Sequence, residues 1–224
     1  MIKMQKKILG FLVVTTAFSA SAESAKEGNF YFSGAVGAFL QEKAAMLFME
    51  SNEQGTSKKP AAALEMGLGL GYYATENLRI EANFAKPFSN KSKVIIKFPI
   101  DGDILDATYH IKTFVNSLQI KGYYDLFKLS DLTRIYVGAG IGLSNVTGKM
   151  KNIEDNKIVK FKTRYNFAYV LGLGANFEVT NNTKLGLEYN YSYHGKAVKK
   201  ETTGPGYKTL VRGHSVLAKI TLDI

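Results

Sequence analysis

Three histidines, His110, His194 and His214, are the residues best suited to proton transfer in this chain, which contains no cysteine. A hydrolytic site needs a base held beside a nucleophile and an orienting acid. Asp103 and Asp106 lie close in sequence to His110, so an outer Asp/His pair is conceivable. His194 and His214 flank one segment, but strand parity turns His194 inward and His214 outward, which separates them. The expectation is therefore a non-enzyme with ordinary rim histidines. Without thiolates, and with no set of three or four ligands, neither a metal site nor a cofactor is expected. The glycine runs Gly67-Leu68-Gly69-Leu70-Gly71 and Gly138-Ala139-Gly140-Ile141-Gly142 have the wrong spacing for a dinucleotide, and no helix pattern follows either one. They read as small residues on a crowded strand face.

Lysine is the more informative residue type. A segment at 146–163 carries Lys149, Lys151, Lys157, Lys160 and Lys162 against two acids. A segment at 195–214 carries Lys196, Lys199, Lys200, Lys208 and Arg212 against one. A third, at 89–113, holds Lys91, Lys93, Lys97 and Lys112 against three aspartates, and a fourth, at 41–61, is balanced. A basic face of this kind attracts polyanions: sulfated glycans, acidic protein segments or lipid phosphates. The alternative for the same residues is plain solvation. The ten basic residues of the first two segments are the candidate ligand-binding set. The fourth segment also holds the apolar run Ala44 to Met49, which is either a partner anchor or an upward extension of the strand before it.

The elements that must position these residues are strands. Residues 1–22 read as an export signal: Lys3, Lys6 and Lys7, a short apolar run, then Ala20-Ser21-Ala22 as a cleavage site. The mature chain, 23–224, then keeps twenty-six basic and nineteen acidic residues. It alternates apolar and polar residues over eight stretches, at 29–40, 62–73, 78–88, 114–126, 133–145, 164–178, 184–194 and 215–224. Each has the roughly 9–11 residues with which a tilted strand crosses a bilayer. Short connections at 74–77, 127–132 and 179–183 alternate with the four long segments above. That alternation predicts an all-β, eight-stranded, antiparallel up-and-down transmembrane barrel with short periplasmic turns and four long outer loops. A secreted β-sandwich shares the alternation, but it does not call for the many glycines on the polar face, whereas a narrow lumen does. The expected lumen charges are Glu65, Arg79, Glu81, Lys121, Arg134, Arg164, Glu188, Lys219 and Asp223, paired across neighbouring strands as a plug.

The eight-strand plan, the opening Phe30-Tyr31-Phe32-Ser33-Gly34-Ala35-Val36-Gly37 and the Gly-x-Gly strands resemble the small outer-membrane barrel superfamily of OmpA, OmpX and OmpW. The Lys-, Asn- and Ile-rich wording, with its lysine-rich outer segments at 146–163 and 195–214, is similar to the surface adhesins of Rickettsia. That resemblance implies an outer-membrane protein, embedded in bacterial lipid, that binds a host surface or serum protein such as vitronectin, and no nucleic acid. A structural or narrow-channel barrel without a specific ligand is the other reading. Members of the superfamily usually end in an aromatic residue, and this chain ends in Ile224.

Overall fold

In the computed structural model, residues 27–42, 45–48, 54–57, 60–88, 90–100, 103–152, 158–199 and 207–224 are described. The export signal expected at 1–22 lies outside them. The described residues form eleven strands: β1(Phe30–Gln41), β2(Ala45–Phe48), β3(Gln54–Ser57), β4(Ala61–Tyr73), β5(Leu78–Pro87), β6(Asn90–Ile100), β7(Asp103–Ser130), β8(Thr133–Asn152), β9(Ile158–Thr180), β10(Thr183–Lys199) and β11(Tyr207–Asp223). All pairings are antiparallel.

Two eight-stranded rings are stacked and share five strands. The lower ring runs β1–β4–β5–β7–β8–β9–β10–β11 and closes through the β1–β11 pair, from Tyr31↔Asp223 to Gln41↔Gly213. In the upper ring β2, β3 and β6 replace β1, β4 and β5, because β7 passes from β5 to β6 and β11 passes from β1 to β2. Closure satisfies the backbone groups that an open edge would leave bare in lipid. The turns at 74–77, 131–132 and 181–182 sit at one end, with the start of β1 and the end of β11. There the Ile224 N–H donates to the Phe30 carbonyl at 2.9 Å.

The eight expected strands are all present, but the outer segments between them are not long loops. They are mostly strand. The stretch at 89–113 is largely β6 and the start of β7, and β8 and β9 each reach well past their expected ends. Of the apolar run at 44–49, residues 45–48 are β2, the upward continuation of β1. The sequence expectation ended each strand where the inward-polar pattern stopped. What happens there is an inversion. Below, polar residues point inward and Leu68, Leu118, Ile141, Leu143 and Leu187, each at least 60% exposed, point outward. Above, Val94, Ile111, Val115, Val146, Met150, Phe161, Ala197 and Val211 pack together inside the ring, while lysines point out.

The physical cause is the change of solvent. An outward belt of large apolar side chains cannot face water as one continuous patch, but lipid accepts it. Beyond the lipid the outer surface meets water, so the same ring reverts to an apolar interior. Aromatic residues mark both edges of the belt: Phe30 and Tyr72, 5.1 Å apart, at the turn end, and Tyr169 stacked on Tyr193 at 5.2 Å at the other.

Candidate ligand surface and the sealed lumen

The lumen comes first, because it decides what the barrel can pass. Lys219 Nζ sits 2.8 Å from Glu81 Oε2 and 3.8 Å from Glu188 Oε2, and Lys121 Nζ lies 3.7 Å from Glu188 Oε1. The Lys219–Glu81 and Lys121–Glu188 pairs join β11 to β5 and β7 to β10 across the lumen, whereas Lys219–Glu188 links the neighbouring strands β11 and β10. In an eight-stranded barrel the opposite wall is within side-chain reach. Nearer the turns, Arg79 pairs with Asp125 at 3.5 Å, Arg134 with Glu178 at 3.6 Å, and Lys184 with Asp223.

Seven of the nine expected lumen charges join these pairs, together with Asp125, Glu178 and Lys184, which the sequence reading left out although their parity places them inside. Glu65 accepts a hydrogen bond from Ser215 Oγ. Arg164 is exposed. A register shift in the β8–β9 ladder between Val146 and Gly148 lets Phe161 point inward above it, and Arg164 emerges on the outside at that irregularity.

Four tyrosines, Tyr31, Tyr73, Tyr123 and Tyr136, complete the filling. The Tyr136 hydroxyl donates to Glu188 Oε2 at 2.9 Å, and the Arg79 guanidinium lies over the rings of Tyr123 and Tyr136 at 5.0 and 4.5 Å. Tyr31 and Tyr136 lie against Gly71 and Gly174, where any Cβ would overlap the rings. The glycines make room for aromatic rings at Gly71, Gly138 and Gly174, and for long polar side chains at Gly69 (Glu81), Gly140 (Lys121) and Gly172 (Asn190). Polar pairs and rings fill the lower lumen, and the apolar cluster closes it above.

The histidines form no catalytic set. His194 is inside, as parity predicted, edge-on to Phe39 at 5.8 Å. His214 is outside, its Nδ1 2.6 Å from the Tyr189 hydroxyl and its Nε2 3.6 Å from Glu42. His110 lies opposite Lys93 and Lys151 in the ladders, not opposite Asp103 or Asp106.

The candidate basic residues lie on the outward wall of the upper ring. Lys149 is opposite Lys160, and Lys151 is opposite Ile158. Val198 of β10 faces Lys162 on one side and Lys208 on the other, so the β9 and β11 lysines share one rung. Lys196 lies one step nearer the membrane. Hydrogen bonding with Lys196 and repulsion from it hold the Lys208 ammonium below the usual lysine range. Among the described residues, no carboxylate pairs with Lys149, Lys151, Lys160, Lys162, Lys196 or Lys208.

Arg212 departs from this pattern, because Glu42 Oε2 compensates it at 2.8 Å. Lys199 ends β10 opposite Tyr207, while Lys157 and Lys200 lie outside the described residues. The sequence reading did not assign Lys93, His110 and Lys112 to the ligand surface, yet they continue the same wall on β6 and β7. Their signal was the i, i+2 repeat of basic residues (91 and 93, 110 and 112, 149 and 151, 160 and 162), which is the outward face of a strand.

A closed ring with a lipid-facing belt, turns at one end and a sealed lumen defines an integral outer-membrane β-barrel. Residues 10–216 match the family described as the outer membrane protein beta-barrel domain, and the chain belongs to that family. Its place is the bacterial outer membrane. A candidate adhesin of Rickettsia conorii is 31% identical over 168 residues, covering 70% of this chain and 66% of the relative, so the chain spans just under two thirds of that protein. A candidate adhesin of Rickettsia akari is 27% identical over 99% of this chain and 100% of its own. The crystal structure of the outer membrane protein OprG from Pseudomonas aeruginosa is similar in fold, with a TM-score of 0.59 at 11% identity, over 89% of this chain and 97% of that one.

Proposed function

We propose that this chain is a surface adhesin that binds an acidic host protein or sulfated glycan, vitronectin-like proteins included, through the basic wall of its upper ring. The observation that carries the reading is the junction of β9, β10 and β11. Lys162 and Lys208 flank Val198 on one rung, and Lys196 crowds Lys208 from below. Like charges placed this close are costly to the free protein, and an anion relieves them. Lys160 widens the patch, Lys149 and Lys151 continue it onto β8, and Arg212 borders it through its pair with Glu42. Lys157, Lys199 and Lys200 belong to the same proposed set by sequence position. The adhesin names of the relatives support the reading. The binding role is non-catalytic and needs no metal or cofactor. The export signal at 1–22 is removed in this reading, leaving 23–224 as the mature barrel, which N-terminal sequencing of the membrane-inserted protein checks.

The direct test is binding of whole cells and of refolded barrel to a panel of host matrix and serum proteins and heparin, at low and high salt. Lys162→Glu, Lys196→Glu and Lys208→Glu together should lower binding by about tenfold or more and flatten its salt dependence, since charge steering is screened beyond about 8 Å at physiological ionic strength. Unchanged binding with unchanged salt dependence favours a purely structural barrel.

A further inference from the structure

The lysines of β7, β8 and β9 pose a problem that a soluble ligand above the barrel does not address. Lys91 is opposite Lys112, Lys112 opposite Lys149, and Lys149 opposite Lys160, so four strands in succession place lysine on one rung. The neighbouring rung holds Lys93, His110 and Lys151. Directly opposed like charges destabilise an antiparallel pair. No carboxylate among the described residues pairs with Lys112, Lys149 or Lys160. The alternating buried residues Ile111, Gly148, Met150 and Phe161 show that these lysines face sideways from the wall, not upward from a loop tip.

What lies beneath them is the lipid-facing belt. On β7 the outward residues below Lys112 are Phe114, Asn116 and Leu118. On β8 those below Lys149 are Thr147, Asn145 and Leu143, and Tyr165 and Phe167 stand below Lys162 on β9. The Lys112 ammonium lies 5.0 Å from the Phe114 ring centroid, bent back down the strand.

Height narrows the occupant. Lys149 is six residues above Leu143, which is ~20 Å along a strand at about 3.4 Å per residue and roughly 15 Å along the membrane normal once tilted by about 40°. A phospholipid headgroup layer adds only about 5–8 Å to each side of the hydrocarbon. An anion at the rung must be carried on a taller headgroup whose chains still lie in the belt.

We infer that this rung binds phosphate groups borne on the sugar headgroup of an outer-leaflet glycolipid, whose acyl chains lie against the apolar belt beneath. Charge complementarity and continuity with the lipid-facing surface both select this occupant. The site is centred on β6–β9 and the adhesive junction on β9–β11; the two overlap at Lys149, Lys151 and Lys160.

The test is thermal unfolding of the refolded full barrel, followed by loss of its compact gel mobility, in zwitterionic detergent with added lipid. Rough-type lipopolysaccharide with a phosphorylated core should raise the midpoint by about 5–10 °C at saturation. The same lipopolysaccharide after dephosphorylation should not, nor should phosphatidylglycerol. In Lys112→Gln/Lys149→Gln/Lys160→Gln the lipid-induced rise should disappear, while the midpoint in detergent alone stays level or climbs as repulsion is relieved. Lys196→Gln/Lys208→Gln should keep the rise. Equal stabilisation by dephosphorylated lipid, a full rise with phosphatidylglycerol, or a full rise in the triple variant would overturn the inference.

Discussion

Replacing Lys219 by Met tests the lumen network at its centre. The change leaves an unbranched side chain one heavy atom shorter and removes one charge. Lys219 Nζ serves Glu81 Oε2 at 2.8 Å, the Tyr123 hydroxyl at 3.2 Å and Glu188 Oε2 at 3.8 Å. Glu81 is fully buried, and its other donors, the Ser33 hydroxyl and the Asn83 amide, are neutral. Glu188 is better insured by Lys121, Asn190 and Tyr136.

At 2.8 Å and an effective dielectric near 20, the Lys219–Glu81 attraction is ~6 kcal/mol before desolvation. Removing one partner of such a buried pair leaves the other uncompensated and costs roughly 3–5 kcal/mol. Lys219→Met should therefore lower unfolding stability by about that amount. Adding Glu81→Gln should recover about 2–3 kcal/mol, because a neutral pair of similar shape is nearly as stable as the ion pair. The assay is urea unfolding in detergent micelles, read by tyrosine emission and by gel mobility, with both single variants and the double variant in one cycle. A loss of less than about 1 kcal/mol in Lys219→Met, or strictly additive effects in the double variant, would refute the claim that this charge closes the lumen network.

Three further outcomes follow from the same geometry. Planar bilayers holding the barrel should show no steady single-channel steps, because charge pairs below and the Val146–Met150–Phe161 cluster above both close the lumen; large stable steps would disprove the seal. Unheated and boiled samples should migrate differently on a detergent gel, since a ring without edges resists unfolding; equal mobility together with detergent-free solubility would contradict the barrel. Gly71→Val should destabilise the barrel by roughly 3 kcal/mol or more, because the added side chain overlaps the Tyr31 ring, whereas Gly122→Ala, where a Cβ meets nothing, should cost far less; similar losses in the two variants would show that the rings are not held by the glycines.

Much of this protein was legible in the alternation of its residues. Leu64, Met66, Leu68 and Leu70 against Glu65, Gly67 and Gly69 specify a strand with one polar, crowded face, because side chains along a strand point to opposite sides with period two. The same parity placed Glu81, Glu188 and Lys219 inside, and sent His194 and His214 to opposite faces. It also located the basic residues on the side of the barrel away from the turns. Parity is a local property, so it survives any tertiary arrangement that keeps the strand.

Other features depended on which strands stand beside or across from one another. Lys219 meets Glu81 because a ring of eight strands is narrow, and no spacing along the chain encodes that width. The outer segments read as loops because their pattern reverses, with Met150 and Phe161 inside and Lys149 and Lys160 outside, and that reversal has meaning only once the height of the membrane surface is known. Arg164 is exposed beside an irregularity of β9 that shifts its register against both β8 and β10. The four-lysine rung is likewise a product of register. Lys91, Lys112, Lys149 and Lys160 are scattered through 70 positions of sequence, and the hydrogen-bonded ladders alone set them side by side, because cross-strand neighbours are chosen by pairing and not by distance along the chain.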